Sequence, residues 1–271
     1  MNRYDAIGAA LIAALLGFVA LMAGVAYSVT RPKPVDHKTL CPTDRIVSHT
    51  VLLVDRTDPL GKEGDHLLQS TFERIVASLA RDERFSIFII DSNGSKAPPV
   101  LFSRCAPSDG DDAHWLYENR RLINRHWKRA FVEPVGIVAL RLREPAQASL
   151  SPIMETIQAV TRLPTFSPSI GDRTLVIASD FLQNVPAYSH YRSLPDYESF
   201  RKSLYAATVE TDLTDVKVEL VYLPNPKAGS RQTDEHRHFW LRYVSESGAG
   251  QMRLTEYELR SHDELLEQCC G

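Results

Sequence analysis

The chain has 271 residues, a formal net charge of −3 at pH 7 and 44% hydrophobic residues. This composition is typical of a globular protein. The weak net charge gives no reason to expect nucleic-acid binding, which generally requires an excess of basic residues. The part of the chain that follows an N-terminal apolar segment is long enough for one large α/β domain with its own core.

The N-terminal apolar segment covers residues 6–29 and contains no charged side chain. As a helix it would reach about 36 Å, and a bilayer's hydrocarbon core is about 30 Å thick. The segment therefore predicts an uncleaved transmembrane helix after a short tail, residues 1–5. A cleaved signal peptide is the alternative, because residues 23–26 have the small side chains of a cleavage site.

Two features point to opposite sides of such a membrane. Arg31, Lys33 and Lys38 follow the apolar segment, and the positive-inside rule then places the following domain in the cytoplasm. Cys41 and Cys105 flank the first elements of the domain and are candidates for a disulfide, which requires an oxidising compartment. Two free buried thiols are the alternative. The cysteines favour a single-pass inner-membrane protein with a periplasmic or otherwise extracytoplasmic domain.

A linker over residues 30–46 leads to a region in which strand and helix patterns alternate. Apolar runs predict strands at 47–54, 85–91, 173–179 and 216–223. Amphipathic or capped patterns predict helices at 64–80, 113–131, 151–163 and 235–246, whereas 135–142 fits either type and is interpreted as a helix. The first strand, helix and strand form a βαβ unit, so their strands should be parallel.

These patterns predict an α/β domain over residues 47–248, with a doubly wound, mostly parallel sheet flanked by helices. Residues 249–271 are predicted to be a C-terminal extension. In open parallel sheets, ligands bind at the carboxyl ends of the strands. Three polar segments should meet at that edge: Asp55–Asp58, Ser149–Ser151 and Ser179–Asp180.

These three segments resemble the metal-ion-dependent adhesion site of the von Willebrand factor A (vWA) domain family. The resemblance covers roughly residues 47–248 and rests on element order more than on sequence identity. It implies a doubly wound α/β fold and a protein-binding function. The family's site combines an Asp-x-Ser-x-Ser loop, a threonine from a second loop and an aspartate from a third. The implied metal ligands are Asp55, Thr57, Asp58, Ser149, Ser151 and Asp180.

The chain departs from the family pattern at two places. Pro59 stands where the second hydroxyl of the first loop belongs, and Ser149 or Ser151 replaces the threonine. Mg²⁺ prefers about six oxygen ligands and keeps several waters, so two carboxylates and two hydroxyls still form a plausible set, with Asp58 in place of the lost hydroxyl. The expected cofactor is Mg²⁺, with Mn²⁺ or Ca²⁺ as alternatives; the other possibility is that these side chains only cap helices.

The resemblance predicts a non-enzymatic module that binds a protein partner in a bacterial-type membrane-associated assembly. An acidic side chain of the partner would complete the metal shell, and no nucleic acid is expected. One alternative is a haloacid-dehalogenase-like phosphohydrolase with Asp55 as nucleophile. Another is a structural spacer whose anchor, residues 6–29, mediates pairing.

Three further features are less specific. His236 and His238 are spaced by two on a predicted helix and are interpreted as surface histidines. Five basic residues on one helix form either a solvated face or a patch for phosphate or an acidic partner: Arg120, Arg121, Arg125, Lys128 and Arg129. Cys269 and Cys270 match neither a metal-binding spacing nor a prenylation motif.

Overall fold

The computed structural model describes residues 3–30, 34–92, 98–111, 113, 118–142, 144, 148–193 and 196–257. The chain divides into two compact units, Met1–Val35 and Asp36–Gly271. The first unit contains helix α1, Arg3–Thr30. Cys269 and Cys270 lie outside the described residues, as does most of the first turn of the helix predicted at 113–131.

The prediction of a transmembrane helix at residues 6–29 is contradicted. Across the described part of the chain, no helix has both the length and the apolar character needed to cross a membrane. The predicted inner-membrane localisation, which depended on that helix, is therefore wrong.

The second unit contains six strands within the described residues: β1 (Ser48–Asp55), β2 (Arg84–Ile90), β3 (Val100–Cys105), β4 (Asp172–Ser179), β5 (Val216–Tyr222) and β6 (Gln251–Glu256). Its helices are α2 (Lys62–Ser78), α3 (Arg120–Trp127), α4 (Glu133–Leu142), α5 (Ile153–Thr161), α6 (Tyr197–Arg201), α7 (Leu204–Thr208) and α8 (Asp234–Glu246). A π-helical turn, Lys128–Val132, joins α3 to α4, and 3-10 turns occupy Pro164–Phe166 and Gly229–Arg231.

All six strands form one sheet in the order β3-β2-β1-β4-β5-β6. Every neighbouring pair is parallel except β2 and β3. The chain builds outward from β1 to β3 on one side and then from β4 to β6 on the other. The direction of winding therefore reverses between β1 and β4, and such a switch point opens a crevice at the carboxyl ends of the strands.

Strand β1 shows why helices cover both faces of the sheet. Val51 and Leu53 pack into the core beside α5 and α8, whereas Leu52 and Val54 pack into the core beside α2 and α4. Successive side chains of a strand point to opposite faces, so a continuous apolar run is buried only if both faces are covered. The predicted α/β fold with a doubly wound, mostly parallel sheet is confirmed.

The four predicted strands correspond to β1, β2, β4 and β5, while β3 and β6 were not predicted. Both unpredicted strands lie at the sheet's edges, and β6 is largely exposed and carries mixed polar residues. Their sequences therefore lack the continuous apolar run of a central strand. Strand β6 lies inside residues 249–271, the segment predicted as a C-terminal extension. The boundaries predicted for the domain, 47–248, stay a prediction.

Pro134 lies inside the helical path that runs from α3 to α4, and the carbonyl that its missing N–H would have bonded has another donor. It is the second residue of α4 and has no N–H to donate to the carbonyl of Ala130, four residues earlier. The guanidinium of Arg104 on β3 donates to that carbonyl instead, at 2.8 Å. The adjoining π-helical turn buries Phe131 completely. The helical path from α3 to α4 therefore continues through the proline.

Cys41 and Cys105 form a disulfide, with Sγ atoms 2.04 Å apart. The bond joins the segment before β1 to the last residue of β3 across a sequence separation of 64. It also fixes the start of the segment Ala106–Ser108. The predicted cysteine pairing is thus present in the structure.

Candidate functional site at the carboxyl ends of the strands

Three polar segments meet at the switch point between β1 and β4. Asp55 is the last residue of β1, and the register that pairs Val54 with Ala178 places Asp55 beside Ser179. Ser179 pairs in turn with Tyr222 at the end of β5. Parallel strands bring these ends to one edge of the sheet, as the sequence predicted.

Asp55 accepts hydrogen bonds from three hydroxyl groups. Its Oδ1 accepts from the Thr57 hydroxyl at 2.6 Å and from the Thr57 backbone N–H at 2.9 Å. Its Oδ2 accepts from the hydroxyls of Ser179 at 2.7 Å and Ser151 at 3.1 Å. Each hydroxyl that donates its proton to Asp55 keeps its oxygen lone pairs for another partner. Asp55 therefore orients the three hydroxyl oxygens. We call Asp55, Thr57, Ser151, Ser179 and Asp180 the acid–hydroxyl cluster.

Asp180 lies next to Ser179 and is held by two donors. Its Oδ1 accepts from the backbone N–H of Leu182 at 2.8 Å, and its Oδ2 accepts from the side-chain amide of Asn225. The same amide lies 3.3 Å from Oδ2 of Asp58. Asn225 thus bridges the two carboxylates, and the 2.8 Å bond from the Lys227 N–H to its Oδ1 fixes the orientation of the amide.

Burial makes the two central carboxylates costly to ionise. Asp55 is 5% exposed and Asp180 is 8% exposed. Desolvation raises the pKa of Asp55, although the hydrogen bonds from its neighbours oppose the shift. Desolvation, together with repulsion from Asp55, raises the pKa of Asp180 to about 7. Among the described residues, no lysine, arginine or histidine donates a hydrogen bond to either carboxylate.

Tyr191 covers one side of this site. Its hydroxyl donates to Oδ2 of Asp58 at 3.3 Å, and the guanidinium of Arg231 lies over its ring, 5.2 Å from the centroid. Burial, with the nearby charges of Asp180 and Asp58, raises the pKa of Tyr191. The phenol therefore stays protonated at neutral pH and remains a donor to Asp58.

The loop after β4 is held in a strained conformation. Phe181 follows Asp180 and has a φ of 61°, which is rare for a bulky residue. Its carbonyl accepts from the indole N–H of Trp240 at 2.8 Å, and its ring stacks on Tyr222. Strained backbone persists only where the surroundings enforce it, and it is concentrated at functional sites. These contacts position the carboxylate of Asp180.

A buried pair of histidines supports the same loop. His236 is fully buried, contrary to its interpretation as a surface residue, whereas His238 is exposed. Nε2 of His236 lies 3.0 Å from Nδ1 of His190, and its Nδ1 lies 2.5 Å from the hydroxyl of Tyr222. Desolvation lowers the pKa of His236 to about 4 and that of His190 to about 3. Both rings are therefore neutral at pH 7.

A small cleft opens beside Asp55 and Asp180. It has a volume of about 10 Å³ and is lined by Asp55, Asp58, Pro59, Leu60, Asp180, Leu223, Pro224 and Asn225. Such a volume has room for about one water molecule. The cleft itself is therefore suited to a single small ion or one inserted side-chain group.

The structure separates the two candidate serines. The hydroxyl of Ser151 donates to Asp55, whereas Ser149 is exposed and contributes its carbonyl to the side-chain amide of Asn184. Asn225 was not recognised from the sequence. It lies three residues beyond β5, so the rule that selected the ends of β1 and β4 also points to it.

The hydrogen bonds of Asp55 count against its use as a nucleophile. Each of its carboxylate oxygens already accepts two hydrogen bonds. A carboxylate that attacks phosphorus needs a free lone pair directed at the substrate. The arrangement instead fits a residue that organises its neighbours. Within the described ranges, no group of three or more His, Cys, Asp or Glu side chains is placed to hold a metal ion, so any metal would depend on hydroxyl and water ligands.

No family model and no curated protein matches the chain. Among solved structures, the chain is similar to one described as the crystal structure of the SpRpn10 VWA domain, with 11% sequence identity and a TM-score of 0.37. That match covers 82% of this chain and 95% of the other. A likeness at this level supports no inference about function.

Proposed function

We propose that the second unit of this chain is a protein-binding module that takes up one divalent cation at the acid–hydroxyl cluster. The observation that carries the proposal is the burial of Asp55 and Asp180 without a cationic side chain bonded to either. Two buried carboxylates repel each other, and they ionise together only if a positive charge compensates them. A proton or a metal ion can supply that charge.

The donor set is chemically suited to Mg²⁺. All candidate ligands are oxygens, from carboxylates and hydroxyls, and Mg²⁺ prefers hard oxygen ligands while keeping several waters. The hydroxyls of Thr57 and Ser151 donate their hydrogen bonds to Asp55, so the lone pairs of their oxygens are available to coordinate a cation. Mn²⁺ and Ca²⁺ use the same ligand types and remain alternatives.

The residues have different roles in this proposal. Asp58 and Asp180, which line the cleft, would hold the ion directly or through a water, and the hydroxyls of Thr57 and Ser151 would complete its shell. Asp55 would act mainly by orienting the hydroxyls, because its own lone pairs are occupied. A bound divalent ion supplies an electrophilic centre that attracts an acidic side chain of a protein partner. Ser149, which lies on the exposed side of the loop, would contact the partner or a metal-bound water.

Calorimetric titration of the full chain with MgCl₂ and MnCl₂ tests the proposal. We expect a single site, and we expect Asp180→Asn to lose it because the amide removes a negative charge. Asp172→Asn is the matched control. Asp172 lies at the opposite end of β4 and is exposed, so its replacement should leave metal binding unchanged.

Two results would contradict the proposal. The first is the absence of both binding heat and a thermal shift when the wild-type chain meets either ion. The second is equal loss of binding in Asp180→Asn and Asp172→Asn, which would indicate diffuse charge attraction. The role of the hydroxyls is tested by Thr57→Val, which keeps the shape of the side chain, and should weaken binding about tenfold or more.

A further inference from the structure

A second, separate surface lies on helix α3 and the π-helical turn. Arg121, Arg125 and Arg129 follow one another at four-residue spacing, so they occupy neighbouring positions on the same helix face. All three are exposed, and Lys128 is exposed beside them. The eight steps from Arg121 to Arg129 extend along about 12 Å of helix. We call these three arginines the basic stripe.

The basic stripe has no acidic partner among the described residues. None of its arginines, nor Lys128, forms an ion pair or a side-chain hydrogen bond there. Some surface arginines elsewhere are paired, since Arg237 bonds Glu256 and Arg242 bonds both Glu198 and Glu246. Arg162 and Arg253 are single exposed arginines without an ion pair in the described part of the chain, whereas the stripe places three on one helix face. Like charges four residues apart destabilise a helix by a few tenths of a kcal/mol per pair. Repulsion between neighbouring arginines of the stripe therefore disfavours the helix slightly.

An apolar side chain and a cleft adjoin the stripe. Leu122 is 60% exposed, and it lies next to Arg121 and one turn from Arg125. It lines an open cleft of about 480 Å³ together with Arg81, Pro107, Ser108, Glu118, Ile123 and His126. A solvated basic face does not require an exposed leucine over a cleft. An amphipathic ligand uses both features, because its apolar side chain can be buried where its charges are paired.

The π-helical turn sets the position of Arg129. Lys128–Val132 inserts one extra residue per turn, and such turns are rare and frequently lie at functional sites. The turn buries Phe131 in the core while Arg129 stays exposed. It therefore directs the last arginine of the stripe outward without unpacking the helix.

We propose that the basic stripe and the cleft at Leu122 bind an acidic, amphipathic segment of a partner protein. Carboxylates at four-residue spacing on a partner helix would pair with Arg121, Arg125 and Arg129. An apolar side chain one position away would enter the cleft. Nucleic acids fit less well, because a phosphate backbone offers nothing to bury at Leu122, and the chain's net charge is −3. This inference does not rest on the cation site proposed above.

Fluorescence anisotropy of the full chain with a labelled helical peptide tests the proposal. The probe has about 15 residues, with glutamates at positions i, i+4 and i+8 and leucines beside them, and its control has glutamine in place of each glutamate. We expect binding of the glutamate peptide to weaken with added salt. The triple variant R121E/R125E/R129E should lose about tenfold or more of the affinity.

A matched triple variant keeps the change in charge but moves it elsewhere. Arg162, Lys202 and Arg253 are exposed and lie outside α3, so R162E/K202E/R253E should bind the peptide nearly as well as the wild type. Leu122→Ser should weaken binding without altering its salt dependence. Circular dichroism and thermal unfolding of each variant check that its helix content and stability match those of the wild type.

Three outcomes would overturn the proposal: no binding of the glutamate peptide by the wild-type chain, equal losses in the two triple variants, or tighter binding of a short DNA duplex or of phosphatidylglycerol vesicles than of the peptide. Addition of EDTA separates the two proposed sites. Peptide binding at the basic stripe should be insensitive to the chelator, whereas binding through the acid–hydroxyl cluster should require the metal ion.

Discussion

The acid–hydroxyl cluster and the basic stripe are opposites in charge, burial and construction. The cluster is buried, its carboxylates accept several hydrogen bonds, and the pKa of Asp180 is raised to about 7. The stripe is exposed and unpaired among the described residues, and it belongs to one continuous helical segment. The cluster assembles residues from β1, the loop before α5 and the end of β4.

This difference shows two ways in which one chain prepares a binding surface. In the cluster, a charged group is taken out of water and left without an opposite charge, so a cation is attracted strongly. On the stripe, charges remain hydrated and each contributes little, so binding depends on several contacts at once. The cluster is thus suited to one small ion, and the stripe to an extended acidic segment.

The largest expected effect comes from removal of the disulfide. The Cys41–Cys105 bond anchors the segment Ala106–Ser108, which borders the cleft beside α3, and none of the cluster's hydrogen bonds passes through it. Replacing both cysteines by serine should lower the free energy of unfolding by about 4 kcal/mol, because the loop across a separation of 64 is no longer closed in the unfolded chain.

Denaturant titration with and without a reducing agent measures this effect. The wild type should lose stability on reduction, and the double variant should be insensitive to the reductant. If the wild type unfolds at the same denaturant concentration under both conditions, the disulfide does not contribute to stability, and the anchoring role of Cys105 is wrong.

A medium effect is expected from the titration of Asp180. Its folded-state pKa of about 7 lies above the ordinary aspartate value near 4. The folded chain then binds more protons than the unfolded chain between those values, so stability should fall as pH rises from about 4 to about 7 and level off above that. Asp180→Asn should remove this slope and should be roughly 1–3 kcal/mol more stable than the wild type at pH 8.

Unfolding free energies of the two proteins at several pH values check this prediction. The measurements should be made in EDTA, because a bound cation would stabilise the ionised form and hide the slope. A wild-type slope that survives in Asp180→Asn would assign the titration to another group, with Asp55 as the next candidate.

The smallest effect is expected on the basic stripe. Arg125→Ala should change the free energy of unfolding by less than about 0.5 kcal/mol, because an exposed, unpaired side chain contributes little to folding. Arg74→Ala is the comparison, since Arg74 pairs with the largely buried Glu219 and its loss should cost more. A large loss in Arg125→Ala would indicate that the stripe serves the fold and not a partner.

The sequence by itself determined the central strands and the side of the sheet on which a site forms. β1, β2, β4 and β5 are apolar because both faces are covered, and this produces a signal that local patterns carry. The basic stripe was equally visible, because its residues lie within a few turns of one helix. The edge strands β3 and β6 lacked that signal, and the apolar segment at residues 6–29 was wrongly interpreted as a membrane span.

Only the tertiary structure decided which polar residues act together. Ser151 and not Ser149 reaches Asp55, and Asn225 bridges Asp58 and Asp180 across a sequence distance of 167 residues. His236 is buried against His190 and Tyr222, although its local spacing indicated the surface. These outcomes depend on loop conformation and on strand order, and no local pattern contains them, because hydrogen bonds between distant segments form only after the sheet has set the register.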